Sequence, residues 1–259
     1  MILNLRGGFG NQCIQLSQFK SVDELDGLRV NIYSSNLAPP FVGALKEKAF
    51  SSLACHLLGG GLRKILSVMA RSQKDLDGSF LKDGYWQYGE VPSVFPLWVA
   101  NSIKKHLVDV SEEPVVMHVR GGDYLNNKSL ATYVSLDEEY YRNALEELLE
   151  SGVDISRVVV VTNDLDAVSN VLEDLQGHFD GIGFEVAPRG MWEDFSLLYA
   201  SQNCICANSS FSLAARILRN THSRNGRTVY PSPWFKARTY EDPVYKDFHP
   251  VLVRYERAE

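Results

Sequence analysis

Residues 114–124 read PVVMHVRGGDY, an apolar run that stops abruptly at a cluster of polar groups. Val115, Val116 and Met117 predict a buried strand, because a short β-branched run bounded by proline and glycine is what the middle of a parallel sheet requires. His118, Arg120 and Asp123 arrive at its carboxyl end. In open α/β sheets ligands sit at that edge, where the strand-to-helix loops converge on a crevice. Arg120 suits a phosphate, since its planar guanidinium forks onto two oxygens and stays charged at any working pH. Gly121 and Gly122 let the backbone come close to whatever Arg120 holds. The same residues also fit an arginine and an aspartate paired with each other at the surface, and this stretch alone leaves both readings open.

Downstream, Ser135 and Glu138 predict a capping box, followed by an apolar stripe of Leu136, Tyr140, Tyr141, Ala144, Leu145 and Leu148 at helical spacing. RVVVVTND (157–164) predicts a buried strand, LDAVSNVLEDL a helix, FEVA a strand and DFSLLYASQ (194–202) a helix. NCICAN (203–208) then predicts a strand, SSFSLAARIL a helix and TVYPSPW (228–234) a last strand ending at Pro231. This alternation predicts a doubly wound parallel sheet, since parallel strands need helical crossovers.

Further candidate sites fall on the same sheet edge. Asn208, Ser209, Ser210, Phe211 and Ser212 bridge a strand and the amino end of the next helix, where free N–H groups and the helix dipole favour an anion. Their hydroxyls either complete a phosphate cradle opposite Arg120 or simply cap the helix. Asp194 either caps the helix it opens or accepts from the N1–H and N2 amino group of a guanine. Asp164 and Asp166 imitate a metal-binding DxD pair, but their place at a helix start predicts capping and no metal.

Upstream, LWVANSIKKHLVDV (97–110) predicts a helix leading into the strand, with a domain boundary at its end. At the opening, MILNL predicts a strand, RGGFGNQ a glycine turn at Gly7, Gly8 and Gly10, and CIQLSQFKSV (13–22) a helix. The spacing is not GxGxxG, so a nicotinamide site is not expected. Asn11 and Gln12 both donate and accept, as sugar hydroxyls require, or they merely complete the turn. ACHLLGGGLRKILSVMARSQK (54–74) reads either as a peripheral membrane-contacting segment or as a helix with a solvated basic side. GYWQ (84–87) offers rings that stack on a sugar or fill the core.

The whole chain of 259 residues, 45% hydrophobic and 22% charged, has the composition of a packed globular protein. A formal net charge of -6 argues against charge-driven binding to nucleic acid. Cys13, Cys55, Cys204 and Cys206 form no CxxC pair and are read as reduced core thiols. Cys204 and Cys206 are expected on one face of their strand, in a geometry that disfavours a disulfide. With a strand at the start instead of a signal peptide or span, a cytoplasmic location is the expectation, with at most peripheral contact at the inner face of the membrane.

Taken in order, GGFGNQ, GYWQ, HVRGGDY, the EYY of residues 139–141, TND (162–164) and ANSSFS (207–212) resemble the alpha-1,2-fucosyltransferase family, glycosyltransferase family 11. The family forms are GGLGNQ, HxRRGDY and ANSSFSWW. The resemblance implies a GT-B-like α/β fold of two Rossmann-type domains with parallel sheets facing a central cleft. Residues 1–110 would form the acceptor side and 111–259 would bind the GDP-sugar. It further implies inverting, metal-independent transfer of L-fucose from GDP-fucose to a galactose-type hydroxyl, O2 in the alpha-1,2 enzymes, with no cofactor beyond the donor substrate.

Carried over by residue, Arg120 would bind the diphosphate, His118 the nucleotide, and Asp194 the guanine. Ser209 and Ser210, with Asn208 and Phe211 beside them, would meet the phosphates. Asn11, with Gly8, Gly10 and Gln12, would face the fucose and the acceptor. Asp123 is the candidate general base, or else a partner for His118 or Arg120. Gly121 departs from the family's second arginine, and Leu213-Ala214 from its WW. These departures keep two alternatives in view: a transferase of another sugar nucleotide or linkage, and a non-catalytic protein that binds nucleotide sugar or glycan.

Overall fold

Every pairing between described strands is parallel, so each strand must hand over to the next through a crossover. The structure, a computed structural model, describes residues 2–5, 7–25, 29–32, 37–45, 49–50, 81–83, 91–121, 132–186, 189–223, 225–236 and 245–253. The chain divides into two compact units, one of Met1–Gln87 with Phe95–His106 and the other of Tyr88–Val94 with Leu107–Glu259. The sequence segments 54–74 and GYWQ, together with Cys55, Gly122 and Asp123, lie outside the described residues.

The first unit contains strands β1 (Ile2–Leu5), β2 (Arg29–Ile32), β3 (Ala49–Phe50) and β4 (Leu81–Asp83), ordered β3-β2-β1-β4. Its described α-helices are α1 (Phe9–Leu16), α2 (Val42–Leu45) and α3 (Leu97–Lys104). Helix α1 begins at Phe9, inside the expected glycine turn, and ends at Leu16 instead of spanning 13–22, and helix α3 stops at Lys104 and does not reach residue 110. Phe41 packs between Phe9 and Trp98, with ring centroids 6.4 Å apart in each pair. The Trp98 indole donates to the Phe19 carbonyl at 2.8 Å, so this aromatic core also meets its polar demand.

The second unit contains β5 (Val115–Val119), β6 (Arg157–Thr162), β7 (Gly183–Val186), β8 (Asn203–Ile205), β9 (Thr228–Ser232) and β10 (His249–Leu252). Their order is β10-β9-β8-β5-β6-β7, the doubly wound sheet that the alternating pattern predicts. Four helices cross between them: α4 (Glu138–Glu150), α5 (Leu165–His178), α6 (Met191–Ala200) and α7 (Ser210–His222). Val115, Met117 and Val119 project into one core with Tyr140, Tyr141, Ala144, Leu145 and Leu148 of α4 and Val168, Val171 and Leu175 of α5. Val116 and His118 alternate to the opposite face.

Three readings in the second unit are corrected. Helix α4 begins at Glu138 and is capped by Asp137, whose carboxylate accepts from the Tyr140 N–H at 3.2 Å, so Ser135 lies outside it. Helix α6 begins at Met191, three residues before Asp194, because Glu193 turns back to accept from the Gly190 N–H at 2.7 Å. Strand β9 carries on through Pro231 to Ser232, and β10 follows it. Cys204 and Cys206 do share a face, as buried thiols with sulfurs 3.8 Å apart.

The carboxyl end of α6 is held by two arginines of α7. Arg216 is fully buried and donates to the carbonyls of Leu198, Ser201 and Gln202 and to the hydroxyls of Ser201 and Thr228. Arg219 donates to the carbonyls of Tyr199 and Ala200. The negative end of the α6 dipole serves as the counter-charge of both. Gly226 closes the turn from α7 into β9 at φ 90, and a Cβ there would lie 1.9 Å from the Gln202 carbonyl oxygen. Gly226→Ala should therefore destabilise the protein by about 1–3 kcal/mol, read as a lowered denaturant midpoint with an unchanged slope.

Candidate functional site

Strand β5 hands over through α4 to β6 on one side of the sheet, and β8 hands over through α7 to β9 on the other. The gap between the carboxyl ends of β5 and β8 is thus a topological switch point, where the two connections part and leave a crevice. His118 and Arg120 stand at the end of β5, and Asn208 and Ser209 follow β8 at the mouth of α7. The sequence reading placed these groups on one edge, and the sheet order puts their strands side by side.

His118 is only 2% exposed, and its Nδ1 has no hydrogen-bond partner among the described residues. Burial, and after it the neighbouring Arg120 guanidinium, lowers its pKa to about 3, so the imidazole is neutral. Arg120 is half-buried. Its backbone is tied to the Tyr141 hydroxyl, and burial pushes that phenol well above its usual pKa. The following peptide is held by Asn163, which accepts from the Gly121 N–H at 3.2 Å and donates to the Gly121 carbonyl at 3.5 Å. The motifs TND and EYY contained these two residues, but no local pattern announced their targets.

Across the switch point, Ser209 is the N-cap of α7 and its hydroxyl accepts from the Phe211 N–H at 3.3 Å. The capping reading therefore holds for Ser209, while Ser210 and Phe211 remain half-buried on the first turn. Asn208 is buried and donates to the Val134 carbonyl at 2.6 Å, fixing the β8–α7 connection. Ring contacts then run outward from β5: His118 to Phe211 at 6.0 Å, Phe211 to Phe195 at 5.3 Å, and Phe195 to Trp192 at 6.0 Å. That chain ends on the first turn of α6, which also bears Asp194.

Asp194 is half-buried, and capping is done by Glu193 instead. Burial raises its carboxyl to about 6; Arg189 opposes the shift and Glu193 adds to it. Asp164, by contrast, accepts from the Asp166 N–H at 3.1 Å and opens α5, the capping role expected of it.

The remaining sequence candidates lie in the first unit. Gly7 sits at φ 73, with the Asn11 amide so close that a Cβ would meet its Nδ2 at 2.3 Å. Gly8 precedes α1, and Gly10, Asn11 and Gln12 form its first turn. Gln12 is buried as a brace, donating to the Gly7 carbonyl at 3.2 Å and accepting from the Ala38 N–H at 2.9 Å.

Elsewhere, a concavity of about 450 Å³ is lined by Asp137, Glu138, Glu139, Glu173 and Asp174 with Arg142 and Asn170. Its carboxylates repel an anion, so it does not compete for a phosphate. Among the described residues no helix is long and apolar enough to cross a membrane.

Comparison with known proteins bears on the same segments. No curated protein matches the chain. Solved structures that match include the E. coli heptosyltransferase WaaC with ADP-2-deoxy-2-fluoro heptose, at 10% identity over 96% of this chain and 92% of that one, with a TM-score of 0.49. POFUT1 in complex with GDP matches at 12% identity over 88% and 96% of the two chains, with a TM-score of 0.40. Likenesses this distant carry no argument about chemistry. The model of glycosyl transferase family 11 matches residues 98–241, more than half of the chain and the whole span from α3 through HVRGGDY, TND and ANSSFS. The chain accordingly belongs to glycosyl transferase family 11, the fucosyltransferase family, and to its sugar-transferring enzymes.

Proposed function

We propose that the enzyme moves L-fucose from GDP-fucose, with inversion, to a hydroxyl of a galactose-type residue in a glycan, at O2, and that no metal takes part. The observation that carries this reading is His118, a buried neutral imidazole between Arg120 and the mouth of α7 whose Nδ1 has no partner among the described residues. A buried polar atom without a partner costs ~1–3 kcal/mol, and a ligand that supplies the partner removes that cost. A nucleoside diphosphate suits the surroundings: Arg120 for its oxygens, the first N–H groups of α7 with Ser209 and Ser210 beside them, and Asp194 for the N1–H and amino group of guanine.

In the reaction, the acceptor oxygen bonds to C1 of fucose as the bond from C1 to the β-phosphate oxygen breaks on the opposite face. The electron pair leaves with GDP, and Arg120 and the helix N–H groups stabilise the charge that develops there. The acceptor proton passes to a base, a role we assign to Asp123. Asn11, with Gly8 and Gly10, serves the fucose and the acceptor, on the turn that the buried Gln12 braces from behind. Gly121, in place of a second arginine, favours a second reading: the same chemistry with another sugar nucleotide or linkage.

A donor and acceptor screen with mass detection of the product tests the assignment. GDP release that depends on acceptor supports transfer, and tight GDP-fucose binding without turnover supports a binding protein instead. Arg120→Ala should weaken GDP binding by about 10- to 100-fold, the loss of one charge-assisted contact, and near-normal transfer by that variant would remove Arg120 from the mechanism.

Asp194 adds a pH signature. Its folded pKa of about 6 lies above the ordinary 3.8, so the ionised carboxylate opposes folding, and this cost develops as pH rises between those values. Asp194→Asn should then melt no lower than the parent at neutral pH while binding GDP more weakly. Guanine needs the ionised form, so parent affinity should fall by up to about tenfold from about pH 7 to about pH 5, beyond any fall that the Asn variant shares. Parallel pH profiles for the two proteins would exclude Asp194 from the nucleotide site.

A further inference from the structure

We infer that Asn163 and Tyr141 are positioning residues for Arg120: acting from two different elements, they fix the backbone of Arg120 and Gly121 so that the guanidinium meets the donor's diphosphate in one orientation. The inference rests on the proposed role of Arg120 and deepens it. The register between β5 and β6 ends at Val119 and Thr162, one residue before Arg120. A glycine follows at once, and glycine is the residue least able to hold its own backbone angles.

The Asn163 carboxamide takes over where the ladder stops. It accepts from the Gly121 N–H and donates to the Gly121 carbonyl, adding one more rung with a side chain in place of a strand. Asparagine is the fitting type, since a carboxylate could accept from the N–H but could not donate to the carbonyl. Asn163 is itself fixed on both sides. The Thr162 hydroxyl accepts from the Asp164 N–H at 3.1 Å and donates to the Asp164 carbonyl at 3.0 Å, while the Asp164 carboxylate anchors the start of α5. From the other side comes the Tyr141 hydroxyl, on a ring buried in α4 and packed edge-on to Tyr140 at 4.9 Å.

A long flexible side chain loses rotamer freedom when it binds, and a fixed backbone lessens the part of that loss paid on arrival of the ligand. The third member of the TND segment thus caps a helix, and the second aims an arginine. Gly121 makes that aim matter more, because no neighbouring arginine shares the task.

A double-mutant cycle tests this, with GDP binding followed by ligand-observed NMR, which reaches roughly millimolar dissociation constants. Asn163→Ala should weaken GDP binding about three- to tenfold and Tyr141→Phe about threefold in the parent, and each should change it less than about twofold in an Arg120→Ala background. Donor KM should rise with these variants while acceptor KM stays put, a split that a general loss of folded protein does not produce. An equal loss in both backgrounds would overturn the inference, because Asn163 or Tyr141 would then act on GDP independently of Arg120. No loss in the parent would overturn it as well. If Arg120→Ala alone binds GDP normally, the diphosphate assignment fails first and the clamp loses its purpose, an outcome distinct from an intact arginine effect with silent Asn163 and Tyr141 variants.

Discussion

The position of β5 constrains everything around it. It lies between β6 and β8 with all five residues buried, and the chain leaves these strands for opposite faces of the sheet. A strand covered on both faces can carry polar groups only where it ends, so His118 and Arg120 can stand nowhere but at its rim. The parting of α4 from α7 opens that rim to a ligand. The polar rim and the core are therefore one design problem: the residues that alternate toward α4 and α5 build the hydrophobic centre, and those that alternate away face α6 and α7.

The charges near this rim are set by burial more than by pairing. His118 is kept neutral by desolvation first and by Arg120 second, and Asp194 holds its proton to unusually high pH for the same leading reason. In both groups burial disfavours the charged form, so the folded chain bears a cost wherever water alone would ionise them. Such costs persist where a ligand repays them.

About half of this architecture was legible in the residues. HVRGGDY gave its strand and its polar end because the switch from apolar to charged is abrupt. NCICAN gave its face because two thiols two residues apart must share it. The helix starts were less legible. Ser135 with Glu138 and Asp137 with Tyr140 compete as caps on equal local terms, and the bond from the Val134 N–H to the Trp234 carbonyl places the entering segment from 100 residues away in sequence. Gly190 with Glu193 is not a pattern built on a capping hydroxyl, so α6 was read from Asp194. The grip of Asn163 on Gly121 spans 42 positions and leaves no periodic trace. In the first unit, strands of two to four residues such as LKD offer too little alternation to read.

One consequence follows from the way α7 grasps the tail of α6. Arg216 and Arg219 weld the far end of one helix to the flank of the other, and Phe195 and Phe211 bolt their near ends together. The two cylinders are geared as a single lever. A displacement felt at the tip that bears Asp194 is transmitted to the tip that bears Ser209 without passing through the sheet, so the two ends of whatever spans them are sensed in unison.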